Sequence, residues 1–321
     1  MAVSTRLIRH RIKSVGNTKK ITKAMELVSA SKMRRAVNAV LCSRSYAGLA
    51  WETLTALSKL SNPSLHPLLA RREPVKKILI VLVTSDRGLC GGFNAQILRE
   101  TTKKIIALAK TGEENPRIDF VTIGKRGQDA ARRFKWNIAA TFAGLNAAPR
   151  AADLQPVAAL AVNDFKSGVY DRVYLAFTDF ISSLKQSPRF KQLLPFVKVE
   201  GLGEAEMGKG QAPLQDIAKV GTEESRFNPE ENLKYHYEYV FEPSPAEVLN
   251  ILLPRLIEVQ IYQAVLESSA SEHSARMVAM KNATEAAVDM IDDLTFTFNQ
   301  ARQSVITREI AEISAGKAAL E

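Results

Sequence analysis

Cysteine is nearly absent. The 321 residues include only Cys42 and Cys90. Two thiols cannot staple a disulfide scaffold or build a cysteine-based zinc module, and such sparse usage points to a reducing compartment. No run of about 18 purely apolar residues occurs, which argues against a membrane-spanning segment. The N-terminus alternates apolar with basic side chains and lacks the apolar core of a secretory leader. What remains is a globular composition, 46% hydrophobic and 24% charged, enough for one large domain or two ordinary ones.

The formal net charge is +10. It is not spread over the chain. Residues 1–35 hold ten Lys/Arg and a single acid, Glu26, so +9 of the total lies in this arm. Residues 245–321 run the other way, with eleven acids against six basic residues. A basic arm on a nearly neutral body can serve nucleic acid, an anionic membrane or an acidic protein surface. Before Tyr46 the arm carries no aromatic side chain to stack on bases.

Periodicity orders the chain into three parts. Residues 1–60 read as one long helix, with apolar triplets Ile8, Ile12, Val15; Ile21, Met25, Val28; and Met33, Val37, Val40, each spaced four then three. Asn62-Pro63 closes it. Residues 255–315 contain neither glycine nor proline and would span about 90 Å as a helix. Their seam runs Ala287, Ile291, Leu294, Phe298, Ala301, Val305; Ile306, Ile310 and Ile313 continue on a nearby face. A seven-residue repeat implies a left-handed supercoil with a partner helix, and the N-terminal helix is the natural partner.

The middle alternates strand and helix. Strands are expected at Lys77–Thr84, Ile118–Ile123 and Arg172–Phe177, and helices at 95–110, Arg126–Phe134 and Ala151–Lys166. Tyr235, Tyr237, Tyr239 and Phe241 suggest a late strand, and 199–233 reads as a long loop or insertion. The expected fold class is α/β. An antiparallel two-helix left-handed coiled coil of the terminal helices (1–62 and 245–321) carries an inserted Rossmann-like α/β domain over 75–242.

Catalytic signals are weak. The turn Ser85–Asn94 follows a strand and precedes a helix, where phosphates bind in α/β folds. It has neither a Gly-Lys-Ser/Thr ending nor G-x-G-x-x-G spacing, so a tight strand-to-helix turn is the plainer reading. Gly124-Lys125-Arg126-Gly127 reads as the start of a helix. Cys90 has no histidine near it in sequence to activate it. Asp292-Asp293 lie on a helix face where charge is ordinarily solvated. No cofactor or metal is expected. The small residues of Ser268–Arg276 permit close helix approach.

Three long segments carry a family resemblance. Arg11–Met33, Thr84–Asn94 and Ser269–Thr284, extended by Arg302–Ile310, closely resemble the three signatures of the gamma subunits of F-type ATP synthases, in the same order. The resemblance implies a non-catalytic central rotor stalk. Its coiled coil would turn inside a ring of three alpha and three beta subunits, with the α/β domain beside epsilon and the membrane c-ring. Proton flow would drive ATP synthesis at beta, and ATP hydrolysis would run the cycle backwards. By the same resemblance Lys23 and Met25, and Arg302, Gln303, Thr307 and Glu309, would contact beta. Arg11, Lys13, Lys19 and Lys20 would form a basic bearing. The implied location is the cytoplasmic face of a bacterial plasma membrane, with a thylakoid membrane the lesser alternative. The region 199–233 lacks the cysteine pair of the plastid form, so thiol regulation of that kind is not expected. Two other classes compete: a nucleotide-binding α/β enzyme using the 84–94 turn, and a basic coiled coil that binds nucleic acid.

Overall fold

A computed structural model describes residues 5–60, 66–111, 116–145, 149–196 and 244–318. The expected late strand at 235–241 and the 199–233 segment lie outside the described residues. The chain divides into two compact units, one of residues 1–31 with 276–321, the other of residues 32–275. Helices α1 (Thr5–Leu60) and α5 (Pro245–Ala318) contribute to both.

In the first unit the two helices run antiparallel. Thr284 Oγ1 donates to Thr22 Oγ1 at 2.8 Å, and the Arg9 guanidinium lies 5.4 Å from the Phe298 ring centre. Moving back along α1 from Thr22 to Arg9 thus corresponds to moving forward along α5 from Thr284 to Phe298. On α5 the inward residues are those expected: Ala287 is buried, and Ile291, Leu294, Phe298, Ala301 and Val305 are half-buried.

On α1 two members of the expected middle triplet, Ile21 and Val28, lie off the seam, and Met25 is half-buried. The protected residues include Ile8, Ile12, Val15, Lys19, Thr22, Glu26 and Ser29, an unbroken four-three pattern, with Met25 beside it. Ile21 and Val28 point outward, 61% and 55% exposed, whereas Thr22 and Ser29 are buried. The cause is geometric. Stepping four-three from Ile8 reaches 22 and 29, and a neighbouring residue lies about 100° away around the helix.

The second unit is an α/β domain. Its elements are β1 (Lys77–Val83), α2 (Phe93–Thr111), β2 (Arg117–Ile123), α3 (Lys125–Arg133), β3 (Asn137–Phe142), α4 (Ala151–Lys166), β4 (Arg172–Phe180) and β5 (Gln186–Leu194). They form one sheet of order β3-β2-β1-β4-β5, parallel except for the antiparallel edge strand β5. Strand β1 has six consecutive buried residues because both sheet faces are covered. Ile78, Ile80 and Leu82 pack with Ile97 of α2, while Leu79, Val81 and Val83 belong to the core shared with α4 and α5.

Strands β3 and β5 are not among the expected elements; the other six elements of this domain lie within a few residues of their expected positions.

The first part of α5 belongs to this core. Leu249, Leu253, Leu256, Ile257, Ile261 and Val265 are buried against the sheet and α4. By length and composition α5 would pass for a membrane-crossing helix. The sequence-based exclusion of such a helix is therefore too strong on those two criteria. Burial of this stripe accounts for its apolar content. Beyond it, Ser268, Ser269, Ser271 and Ser274 are buried too. The Thr178 amide donates to Ser268 Oγ at 3.0 Å, and Ser271 Oγ donates to the Thr178 carbonyl at 3.4 Å. Small hydroxyls let the helix approach β4 closely while satisfying its backbone.

Candidate partner surfaces and the switch-point turn

In a sheet of this order the strand order reverses between β1 and β4, and ligands in such folds bind beyond the carboxyl ends of those strands. The turn Ser85–Asn94 occupies that place. Its polar groups are turned on one another. The Ser85 amide donates to Asn94 Oδ1 at 3.1 Å, and Ser85 Oγ to the Arg87 carbonyl at 2.7 Å. Asn94 Nδ2 donates to Ser85 Oγ at 2.7 Å and lies 3.2 Å from Cys90 Sγ.

Asp86 is the informative residue. Its Oδ1 accepts from the Lys125 amide at 3.1 Å and its Oδ2 from the Gly144 amide at 3.1 Å. The first of these is an N-terminal amide of α3, the kind of donor that binds anions at helix starts. Here a carboxylate of the chain itself takes it. Thr84 completes the joint, its Oγ1 accepting from the Gly127 amide at 2.7 Å. Gly124 has φ +98°, and a side chain there would collide with the Thr84 carbonyl. The glycines of Gly124-Lys125-Arg126-Gly127 thus serve the close approach of α3 to β1.

The expected partner-contact residues all lie in the first unit. Arg11, Lys13, Lys20 and Lys23 are exposed, and so are Arg302, Gln303, Thr307 and Glu309. Lys19 and Met25 are half-buried and belong partly to the helix–helix seam. Lys23 Nζ bonds both carboxylate oxygens of Glu26, at 3.0 and 3.1 Å, so the arm's single acid neutralises one of its ten cations.

The two groups expected to meet beta do not form one patch. Thr22 is level with Thr284, and Arg9 with Phe298. Eighteen helical residues separate Thr284 from Arg302, about 27 Å along the axis. Lys23 and Met25 thus occupy one level of the coil, and Arg302–Glu309 another near its far end.

Sequence reasoning set Ile306, Ile310 and Ile313 on a face beside the seam but did not place Ile21 and Val28 on the outside. Leu7, Ile21 and Val28 are exposed on α1 at multiples of seven, and Phe296, Ile306, Ile310 and Ile313 are exposed on α5. The available signal was the four-three count itself, carried unbroken from Ile8, which excludes Ile21 and Val28 from the seam.

Comparison with known proteins places this architecture. The family model described as ATP synthase matches residues 4–320. The ATP synthase gamma chain of Pelotomaculum thermopropionicum is 42% identical over 318 residues, covering 99% of both chains. That of Chloroflexus aurantiacus is 42% identical over 319 residues, again covering 99% of each. Among solved structures, a chain of the Euglena gracilis mitochondrial ATP synthase, in its OSCP/F1/c-ring portion, aligns with TM-score 0.63 at 18% identity, over 98% of this chain and 94% of that one. A chain from the central stalk and c-ring of the Tetrahymena thermophila enzyme aligns with TM-score 0.52 at 24% identity, over 82% and 99%. Such distant structures speak for the fold; the curated relatives settle kinship, and the chain belongs to the ATP synthase gamma-chain family.

Proposed function

We propose that this chain is the central rotor stalk of an F-type ATP synthase, transmitting rotation between a proton-driven c-ring and the catalytic beta subunits. The observation that carries the reading is the inverted patterning of α1. A two-helix coil facing only water would place Ile21 and Val28 in its seam and the hydroxyls of Thr22 and Ser29 outside. Here the apolar side chains are outside and the hydroxyls inside. Outward apolar residues at regular spacing call for a protein surface around the coil. Exposed cations among them suit an acidic wall, which would hold the shaft without fixing it at one angle.

In this reading residues 1–62 and 245–321 are the shaft and 75–242 the domain that meets the c-ring and epsilon, with 199–233 as an insertion. Lys23 and Met25 engage beta at one level, Arg302, Gln303, Thr307 and Glu309 at another, and Arg11, Lys13, Lys19 and Lys20 line the bearing. Each beta subunit samples open and closed states, and the face of the asymmetric shaft beside it biases which is populated. The chain would act as one copy per complex on the cytoplasmic face of a bacterial plasma membrane, held there through the c-ring. It would contribute no catalytic site. The commitment of Asp86 to the amides of Lys125 and Gly144 supports that part of the reading.

The direct test is charge reversal on the exposed face. Arg11→Glu, Lys13→Glu and Lys20→Glu together should impair assembly or coupling in the reconstituted enzyme. Full proton-driven ATP synthesis by the triple variant would overturn the bearing.

A further inference from the structure

At the amino end of β4, away from the switch-point turn, the α/β domain has an open cleft of about 160 Å³ lined by Arg71, Arg72, Glu73, Arg172, Gln192 and Pro195. Three arginines and one glutamate thus line it, Arg71 and Glu73 exposed and Arg72 and Arg172 half-buried. Arg172 opens β4, in register with Ile78 of β1. Arg72 is oriented from behind: its Nη1 donates to the Tyr170 carbonyl at 3.1 Å and its guanidinium lies 4.7 Å from the centre of the Phe165 ring. Gln192 is held by its Nε2, which donates to the Pro195 carbonyl at 2.9 Å.

Asp171, beside Arg172 in sequence, has one carboxylate oxygen engaged by backbone amides: its Oδ2 accepts from those of Lys76 and Lys77 at 2.8 and 3.0 Å. Among the described residues no carboxylate forms an ion pair with Arg71, Arg72 or Arg172. Like charges gathered around a cleft repel one another unless an anion sits between them. Guanidinium forks match the oxygens of phosphate, and charge-assisted bonds to them are strong.

We infer that this cleft is an anion site for a single phosphate group. At about 160 Å³ the cleft has room for a phosphate group. Both inorganic phosphate and the terminal phosphomonoester of a lipid headgroup present this chemistry. Glu73 lines the same cleft and opposes the anion, so it lowers affinity.

Calorimetric titration of the purified full chain with inorganic phosphate, at ionic strength held constant with chloride, tests the site. Saturable binding at one site is expected. Arg71→Gln and Arg172→Gln should each weaken it by about tenfold or more, as loss of a charged hydrogen-bond donor does. Glu73→Gln should tighten it, and this variant keeps the proposal exposed if the arginine variants fail to fold. Sedimentation with phosphatidylcholine vesicles containing phosphatidic acid separates the two sources. Vesicle binding that free phosphate displaces assigns a lipid headgroup, whereas phosphate binding without vesicle binding assigns the free ion. Absence of saturable binding to both probes, undiminished affinity in folded Arg71→Gln and Arg172→Gln, or unchanged affinity in Glu73→Gln would overturn the site.

Discussion

Asp86 accepts one hydrogen bond from the start of α3 and another from the residue that follows β3 by two positions. One side chain thereby ties together the loops after β1, β2 and β3. Asp86→Ala should cost about 1–3 kcal/mol, because charged acceptors of backbone N–H groups carry that much. Chemical denaturation of the purified chain checks this. Gly124→Ala should cost at least as much, since its φ of +98° and the Thr84 carbonyl both exclude a side chain. The sequence reading correctly placed a helix start at Gly124, but not the reason for glycine, which lies 40 residues away in Thr84.

His66 gives the α/β domain a pH dependence. Its Nδ1 accepts from the Leu68 amide at 3.1 Å, so Nε2 carries the proton and donates to Asn250 Oδ1 at 2.9 Å. Burial lowers its pKa below the usual 6.5; the bond to Asn250 opposes that, and the charge of Lys166 adds to the lowering. The folded state therefore holds the neutral ring more strongly than the unfolded chain does. Its stabilisation is present above the unfolded value and is lost as pH falls from about 6.5 through the folded pKa. Asp119 adds a similar slope at lower pH. Burial raises its pKa, but hydrogen bonds from Asn137, Arg117 and Tyr170 outweigh it, and the net shift is downward. Comparing His66→Gln with the unaltered chain by urea titration between pH 5 and pH 8 isolates the histidine. The variant should show a shallower acid-side decline, and identical slopes would refute the assignment.

Among the elements, the helices were the most legible. Their period is long, and the boundaries of α4 matched the expected Ala151–Lys166 residue for residue. Strand β1 was legible as an unbroken apolar run. Strand β5 was not, because it contains Pro188, Arg189 and Lys191 and lies at the sheet edge, where one side needs no partner strand. Strand β3 alternates only weakly, since Ala139 and Ala140 supply half of its middle.

The seam of α1 was misread in its middle because the apolar residues there serve the outside. This yields a paired prediction. Thr22→Val combined with Thr284→Val removes a hydroxyl pair and its hydrogen bond while keeping shape, and should leave coil stability unchanged or raised. Ile21→Ser combined with Val28→Ser should alter the isolated chain by less than about 0.5 kcal/mol, as exposed sites usually do. It should nevertheless weaken assembly with alpha and beta. Thermal melts of the isolated chain beside pull-down of the ring separate the two effects.

On the scale of the whole molecule, the basic arm and the coil explain one another. A net charge of +10 in which +9 lies within 35 residues describes an arm, not a surface. Most of that arm is α1 in the first unit, interleaved with outward Leu7, Ile21 and Val28. Charge and apolar exposure on one face suit enclosure by protein better than nucleic acid, for which the arm supplies no stacking side chain. The architecture, a sheet domain between two long helices, could be read from periodicity. The proposed rotor role could not, because torque is a property of the assembly; family kinship and the outward apolar residues of α1 support that proposal.

The most direct measurement follows a fluorescent probe fixed to exposed Cys42, in a Cys90→Ser background, with the alpha–beta ring tethered to glass and ATP supplied. The account predicts continuous rotation of the probe in one direction during hydrolysis, stopping when the chain is cross-linked to the ring. Full ATP turnover with a stationary probe, or undiminished coupled turnover after cross-linking, would contradict it.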